Sequence, residues 1–209
     1  MRALARFIDR LLRKTNAVYE FTLDAKCIFR IQLRHAPRSV TIQGEKILKG
    51  DPILGLHIWN EHIPKLPAEG ADLRWALQSQ RLLLHSFKLI AREMQSSEMY
   101  AHIRALYGAS ALFSFSDHTG GIRMMQHFGF DVLPYQPTRG SFGLFWQNFF
   151  SWWLMYTYND VSLHTRVFWR LERTEIWMLA DDFMQRYGEI PSISLPAPLE
   201  EHRNRIAGE

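Results

Sequence analysis

Residues 111–134, ALFSFSDHTGGIRMMQHFGFDVLP, decide how the chain is organised. Ala111–Phe115 is apolar and aromatic, which predicts a buried strand. Ser116-Asp117-His118-Thr119 supplies turn and helix N-cap chemistry, and Gly120-Gly121 lets the backbone bend or approach another group closely. Ile122–His127 makes one or two helical turns, Gly129 stops them as a left-handed C-cap, and Phe130–Leu133 leaves as another strand. Strand, polar turn, helix and strand is the pattern of an α/β sheet, where sites gather at the carboxyl end of a strand beside a helix N-terminus.

Upstream of this stretch, Ala71–Gln95 predicts the longest helix, with a wide apolar stripe from Leu73 to Met94 and with Glu69 and Asp72 at its N-terminal end. Before it, Ile53–Asn60 alternates as a strand: Leu54, Leu56 and Ile58 share one side, His57 and Trp59 the other. Cys27–Leu33 and Val40–Ile42 predict shorter strands, and Gln43-Gly44-Glu45-Lys46 a hairpin turn. Met99–Tyr107 fits helix and strand equally, and Gly108-Ala109-Ser110 leads into the central stretch. Downstream, Phe142–Tyr158 (FGLFWQNFFSWWLMYTY) predicts an aromatic-rich helix with a narrow polar side of Gln147, Asn148 and Ser151. It is either a core helix under the sheet or an interface for a bilayer or a partner. Leu163–Leu171 predicts a strand, and Trp177–Tyr187 a final helix closed by Gly188. The expected architecture is α/β, with α+β as the alternative: one domain over residues 1–190, a mixed sheet covered by a long helix, and a Pro-containing flexible tail over 191–209.

Composition narrows the function classes. With 47% apolar and 22% charged residues among 209, the chain is globular. Its net charge of +4 is mild, and its cations are scattered after the first 15 residues, so no nucleic-acid footprint is expected. Within Met1–Thr15, Leu4, Phe7, Ile8, Leu11 and Leu12 predict one face of a helix whose other face carries Arg2, Arg6, Arg10, Arg13 and Lys14. Such a helix either lies on an anionic membrane surface or packs on its own domain with solvated arginines. The one cysteine, Cys27, excludes an intramolecular disulfide and a cysteine-rich zinc site, and reads as a buried thiol. Neither a signal peptide nor a membrane span is expected. The predicted location is cytoplasmic and peripheral to the inner membrane, with an anionic lipid surface or a protein as partner.

The common catalytic signatures are missing: no nucleophile elbow, no phosphate loop, no dinucleotide fingerprint and no two-histidine metalloprotease helix. His57 and His62 do not form a recognised metal-ligand pattern, so no metal is expected, and the sequence does not say which cofactor, if any, the chain takes. Polar groups do gather at predicted strand ends, with His57 and Asn60 after one strand, Asp117 and His118 after another, and His164 opening a third. If the first two strands run parallel, His57, Asp117 and His118 form a candidate catalytic group, and Asn60, Thr119, Gly120 and Gly121 a candidate anion-binding group. The plainer account makes Asp117 a helix cap and His118 a surface turn residue.

Thr119-Gly120-Gly121 is placed like the pyrophosphate loop of GNAT-type acetyltransferases, and Phe128-Gly129-Phe130 resembles their Gly-Phe before a strand. The Arg/Gln-x-x-Gly-x-Gly/Ala pattern is absent. A second resemblance covers most of the chain. Gly50-Asp51 with Leu56-His57-Ile58-Trp59-Asn60, then Ala105-Leu106-Tyr107-Gly108, Phe128-Gly129-Phe130, Ile176-Trp177-Met178 and Tyr187-Gly188 resemble the YkoP-type domain, an uncharacterised bacterial family sometimes found beside polysaccharide deacetylase domains. This resemblance implies a single α/β domain and a link to envelope carbohydrate or lipid, and no reaction. The expected function is therefore an accessory or binding domain near the membrane. The alternatives are a transferase-like enzyme around His57, Asn60, Asp117 and His118, and a purely structural or interaction protein.

Overall fold

The computed structural model describes residues 17–110, 120–137, 141–158 and 173–189. The helix predicted over Met1–Thr15, the strand Ala111–Phe115, the turn Ser116–Thr119, the strand Leu163–Leu171 and the tail from Pro191 lie outside the described residues.

The chain first builds two antiparallel pairs. β1 (Phe29–His35) pairs with β4 (Pro52–Ile58), and between them β2 (Val40–Ile42) and β3 (Glu45–Ile47) form a hairpin. The hairpin turns at Gln43-Gly44, both in the left-handed region at φ 51° and 86°, as a two-residue turn between twisted strands requires. α1 (Leu73–Ser96) follows, capped by the Asp72 carboxylate, which accepts from the Trp75 amide at 2.6 Å. The helix carries the chain across the sheet, so that β5 (Ala105–Ser110) returns parallel to β4. α2 (Gly120–His127) leads into β6 (Asp131–Pro134), α3 (Ser141–Tyr158) follows, and β7 (Thr174–Leu179) runs into α4 (Ala180–Tyr187). The main sheet has the order β1-β4-β5-β7-β6, with only β4 and β5 parallel. It is the expected mixed α/β sheet with a long covering helix and an aromatic-rich helix.

Within Met99–Tyr107, which fits helix and strand equally, Ala105–Tyr107 is strand, and Gly108–Ser110 continue it as β5. The sequence expectation fails at the last helix. Trp177-Met178-Leu179, predicted to open the final helix, belongs to β7 instead. β7 lies between β5 and β6 and is buried on both faces, so it shows a continuous apolar run without alternation. The helix begins only at Ala180, where Asp181 and Asp182 favour the positive end of the helix dipole.

The sheet has two dissimilar faces. Ile31, Leu54, Leu56, Leu106, Ile176 and Met178 point to the face covered by α1, α2 and α4. Phe87 of α1 lies at the centre of this core, with the rings of Phe29, Phe128, Phe130, Phe183 and Tyr187 at 5.2–5.9 Å. α2 delivers Phe128 and Phe130 through a Schellman ending: the Phe130 amide donates to Met125 O, the Gly129 amide to Gln126 O, and Gly129 takes φ 89°. On the other face, Val40, Ile42 and Ile47 of the hairpin cover Ile53, Ala105, Tyr107 and Trp177. The outer strands are β1, bridged by Tyr19 to Ile31 along its free side, and β6, four residues ending on Pro134.

Truncating Phe87 to Ala removes the ring that five others touch and leaves a cavity the helices cannot close. The expected cost is about 3–5 kcal/mol in a denaturant unfolding experiment; a loss below about 1 kcal/mol would contradict this account of the core.

Candidate functional site

The hairpin covers only part of the second face. Beyond it, alternation along β1 places Arg30, Gln32 and Arg34 on this side, opposite His57, Gly55 and Ile53 of β4 in register. Across β4, Tyr107 of β5 stands level with Gly55 and in turn opposite Trp177 of β7. The candidate site is this polar and aromatic surface.

Each charged group on it has a particular environment. Arg30 is buried, lies over the Trp59 ring at 4.5 Å and pairs with Glu20 at 3.2 Å. Trp59 also stacks on His62 at 3.9 Å, and its indole N–H donates to Glu61 at 3.3 Å. Glu175 is 1% exposed. Its charge is balanced by Arg38 at 2.7 Å, and the Trp177 indole at 3.0 Å and the Gln136 amide at 3.3 Å donate to it. Arg173, at the entrance to β7, donates to Asn148 and Ser151 of α3 at 3.0 and 2.8 Å and faces the Tyr135 ring at 5.9 Å. Tyr107 has its phenol pushed well above the usual range by burial and by the Glu175 charge.

His57 is half-buried, and its Nε2–H donates to Gln32 Oε1 at 2.9 Å, leaving Nδ1 as an acceptor. Burial first, then the charges of Arg34 and Arg30, push its pKa down to about 4. The ring is therefore neutral at pH 7. Asn60 is half-buried in the turn after β4. The parallel pairing of β4 and β5 brings the exit from β5 at Ser110 to the same end of the sheet as His57 and Asn60. Asp117, His118 and Thr119 lie outside the described residues. Gly120 and Gly121 form the first turn of α2, and Gly121 is buried.

His62, the other histidine in this region, donates from Nδ1 to the Cys27 carbonyl at 2.6 Å. Cys27 is a buried thiol, as expected; burial raises its pKa, and it donates to Phe29 O at 3.3 Å. His85 bonds Asp24 at 2.7 Å, fastening the segment before β1 to α1. Among the described residues, no three His, Cys, Asp or Glu side chains converge as metal ligands would.

The family model of the YkoP domain matches residues 1–187, from the first residue to the last of α4. The chain belongs to this family. No curated protein and no solved structure matches it. In this YkoP domain, sequence reasoning singled out His57 and missed Arg30, Gln32, Arg34, Tyr107, Arg173 and Glu175. Part of the missing signal was present in β1, where Phe29-Arg30-Ile31-Gln32-Leu33-Arg34 alternates throughout.

The depressed His57 pKa makes stability depend on pH. In the unfolded chain the imidazole titrates near 6.5, so as pH falls the unfolded state takes up the proton first. The His57 contribution is neutral above pH 6.5 and destabilises the fold progressively down to about pH 4, by a total on the order of 3 kcal/mol. Unfolding free energies measured at pH 7 and pH 4.5 should therefore diverge less in His57→Gln than in the parent chain. Equal pH slopes for the two would refute the assignment.

Proposed function

We propose that this YkoP domain is an accessory binding module that works at an anionic membrane surface, with α3 as its interfacial element. The observation that carries this reading is the exposure of Phe145, Trp146, Phe149 and Tyr156, each between 40% and 51%, on a helix without a single charged residue. Phe145, Phe149, Trp152 and Tyr156 follow one another at four-, three- and four-residue spacing, so they form one stripe. Phe145 stacks on Phe149 and Trp152 on Tyr156 along it. Asn148 and Ser151, on another side of the helix, bind Arg173 and so hold α3 to the sheet while the stripe faces outward. Contiguous exposed aromatics of this kind mark interaction surfaces, and Trp and Tyr suit the headgroup zone because one end of each ring system is polar.

The depth of such an interaction is limited. No described helix is long and apolar enough to cross a membrane, which favours a helix lying in the interface plane. The net charge of +4 and the five cations within Met1–Thr15 favour an anionic surface.

Flotation of the full chain with phosphatidylglycerol-containing vesicles tests this. Binding is expected at low salt and is expected to weaken as salt screens the charges. The double replacement Trp146→Ser with Phe149→Ser should weaken it about tenfold or more with only a small drop in melting temperature, since both rings are already half exposed. The absence of a vesicle-bound fraction at low salt would overturn the reading. Binding that survives the double replacement would remove α3 from it.

A further inference from the structure

The second face of the sheet carries a cation with no counter-charge among the described residues. Arg34 rises from β1, crosses β4 at Gly55, and lays its guanidinium over the Tyr107 ring of β5, 5.1 Å from the centroid. The missing side chain leaves room for the crossing: a Cβ at position 55 would stand 3.0 Å from the Arg34 Cδ, and the arginine stem would have to shift to keep its place. The carboxylates on this face are engaged elsewhere, Glu175 with Arg38, and Glu20 with Arg30. Arg34 makes no hydrogen bond or ion pair among the described residues.

Lying over an aromatic ring attracts the cation through the ring's quadrupole but uses none of its five N–H donors. Those donors point outward in the guanidinium plane, the fork that accepts a planar carboxylate or a phosphate edge through two parallel bonds. His57 stands on the same face with Nε2 occupied by Gln32 and Nδ1 without a partner among the described residues. Arg173 adds a second positive charge that acts on Tyr107 from the β7 side. We propose that Arg34, with Tyr107 as its platform and His57 beside it, forms a binding site for a carboxylate or phosphate oxyanion on the second face of the sheet. This inference stands apart from the membrane reading, since none of the three residues belongs to α3.

His57 serves as a natural reporter. The charged and polar groups around it are Arg30, Arg34 and Gln32 on β1 and Tyr107 on β5, with Glu20 and Glu61 held near Arg30. The Arg34 charge helps to hold the imidazole near pH 4, so an anion seated on Arg34 must raise the His57 titration toward 6.5.

The test is an NMR titration of the full chain with inorganic phosphate, with acetate, and with a water-soluble short-chain phosphatidylglycerol, following the His57 ring and the Arg34 Nε–H. A saturating shift of both groups, accompanied by an upward move of the His57 titration, is the expected result. Saturation by phosphate or acetate identifies a free anion as ligand, and saturation by the short-chain lipid alone identifies a headgroup. Arg34→Gln should abolish the shift, and Arg34→Lys should weaken the affinity about tenfold, because an ammonium cannot bind bidentately. No saturating shift with any of the three probes, or a shift that persists in Arg34→Gln, would overturn the proposal.

Discussion

Trp177 and Glu175 sit on one side of a strand whose other side, Ile176 and Met178, is equally shut away from water. Four successive buried residues on β7 require cover above and below the sheet, and the remaining elements supply it unequally. Helices α1, α2 and α4 bring apolar stripes to one side, where aromatic packing around Phe87 closes the core. The other side has no described helix over its centre and relies on a two-stranded hairpin. A buried carboxylate there is tolerable only when its charge is matched, and the three groups that serve Glu175 come from separate parts of the chain: Arg38 before the hairpin, Gln136 after β6, and Trp177 on β7 itself. The cost of stranding that charge ties the hairpin, the exit of β6 and the central strand into one register.

The same asymmetry explains where functional chemistry can reside. On the helical face the buried side chains around Phe87 are committed to packing. The hairpin, with strands of three residues each, is too small to cover the whole second face, and the uncovered part is finished with long polar side chains in place of apolar ones. Arginine stems can cover neighbouring backbone and rings while keeping their charged heads near solvent. Arg34 on Tyr107 does this, whereas Arg30 on Trp59 is buried whole and pairs with Glu20. A sheet finished in this way is both a core wall and a potential recognition surface, and α3 is fastened at its margin through Arg173.

Much of the fold could be read from local pattern. The alternation in Ile53–Asn60, the Gln43-Gly44 turn, the stripe along Ala71–Gln95 and the stop at Gly129 each follow from periodicity or backbone chemistry within a few residues. β7 could not be read this way. Its apolar run passes into α4 without an intervening turn, and Trp177, Ala180 and Phe183 fall at three-residue spacing that mimics a helix face across a strand–helix junction. The candidate site was legible only at His57, which stands out as a polar residue in an apolar strand. Its partner Gln32 is 25 residues away, and Arg34 meets Tyr107 only because the β1–β4 and β4–β5 registers align Gln32, Gly55 and Tyr107 in one row. No local pattern states a register between strands that distant.

The two outer strands bear on how this protein behaves when crowded. A sheet margin offers unpaired amides and carbonyls that a neighbouring chain can extend, the first step of edge-to-edge aggregation. On the β1 side, Tyr19 already occupies the amide and carbonyl of Ile31 through bonds of 3.0 and 3.1 Å. On the β6 side, the strand stops after four residues at a proline, which has no amide to donate. The segment leading into β1 thus acts as a guard strip as well as a connection. Losing it would leave Ile31, in the middle of a seven-residue strand, as a template for self-association.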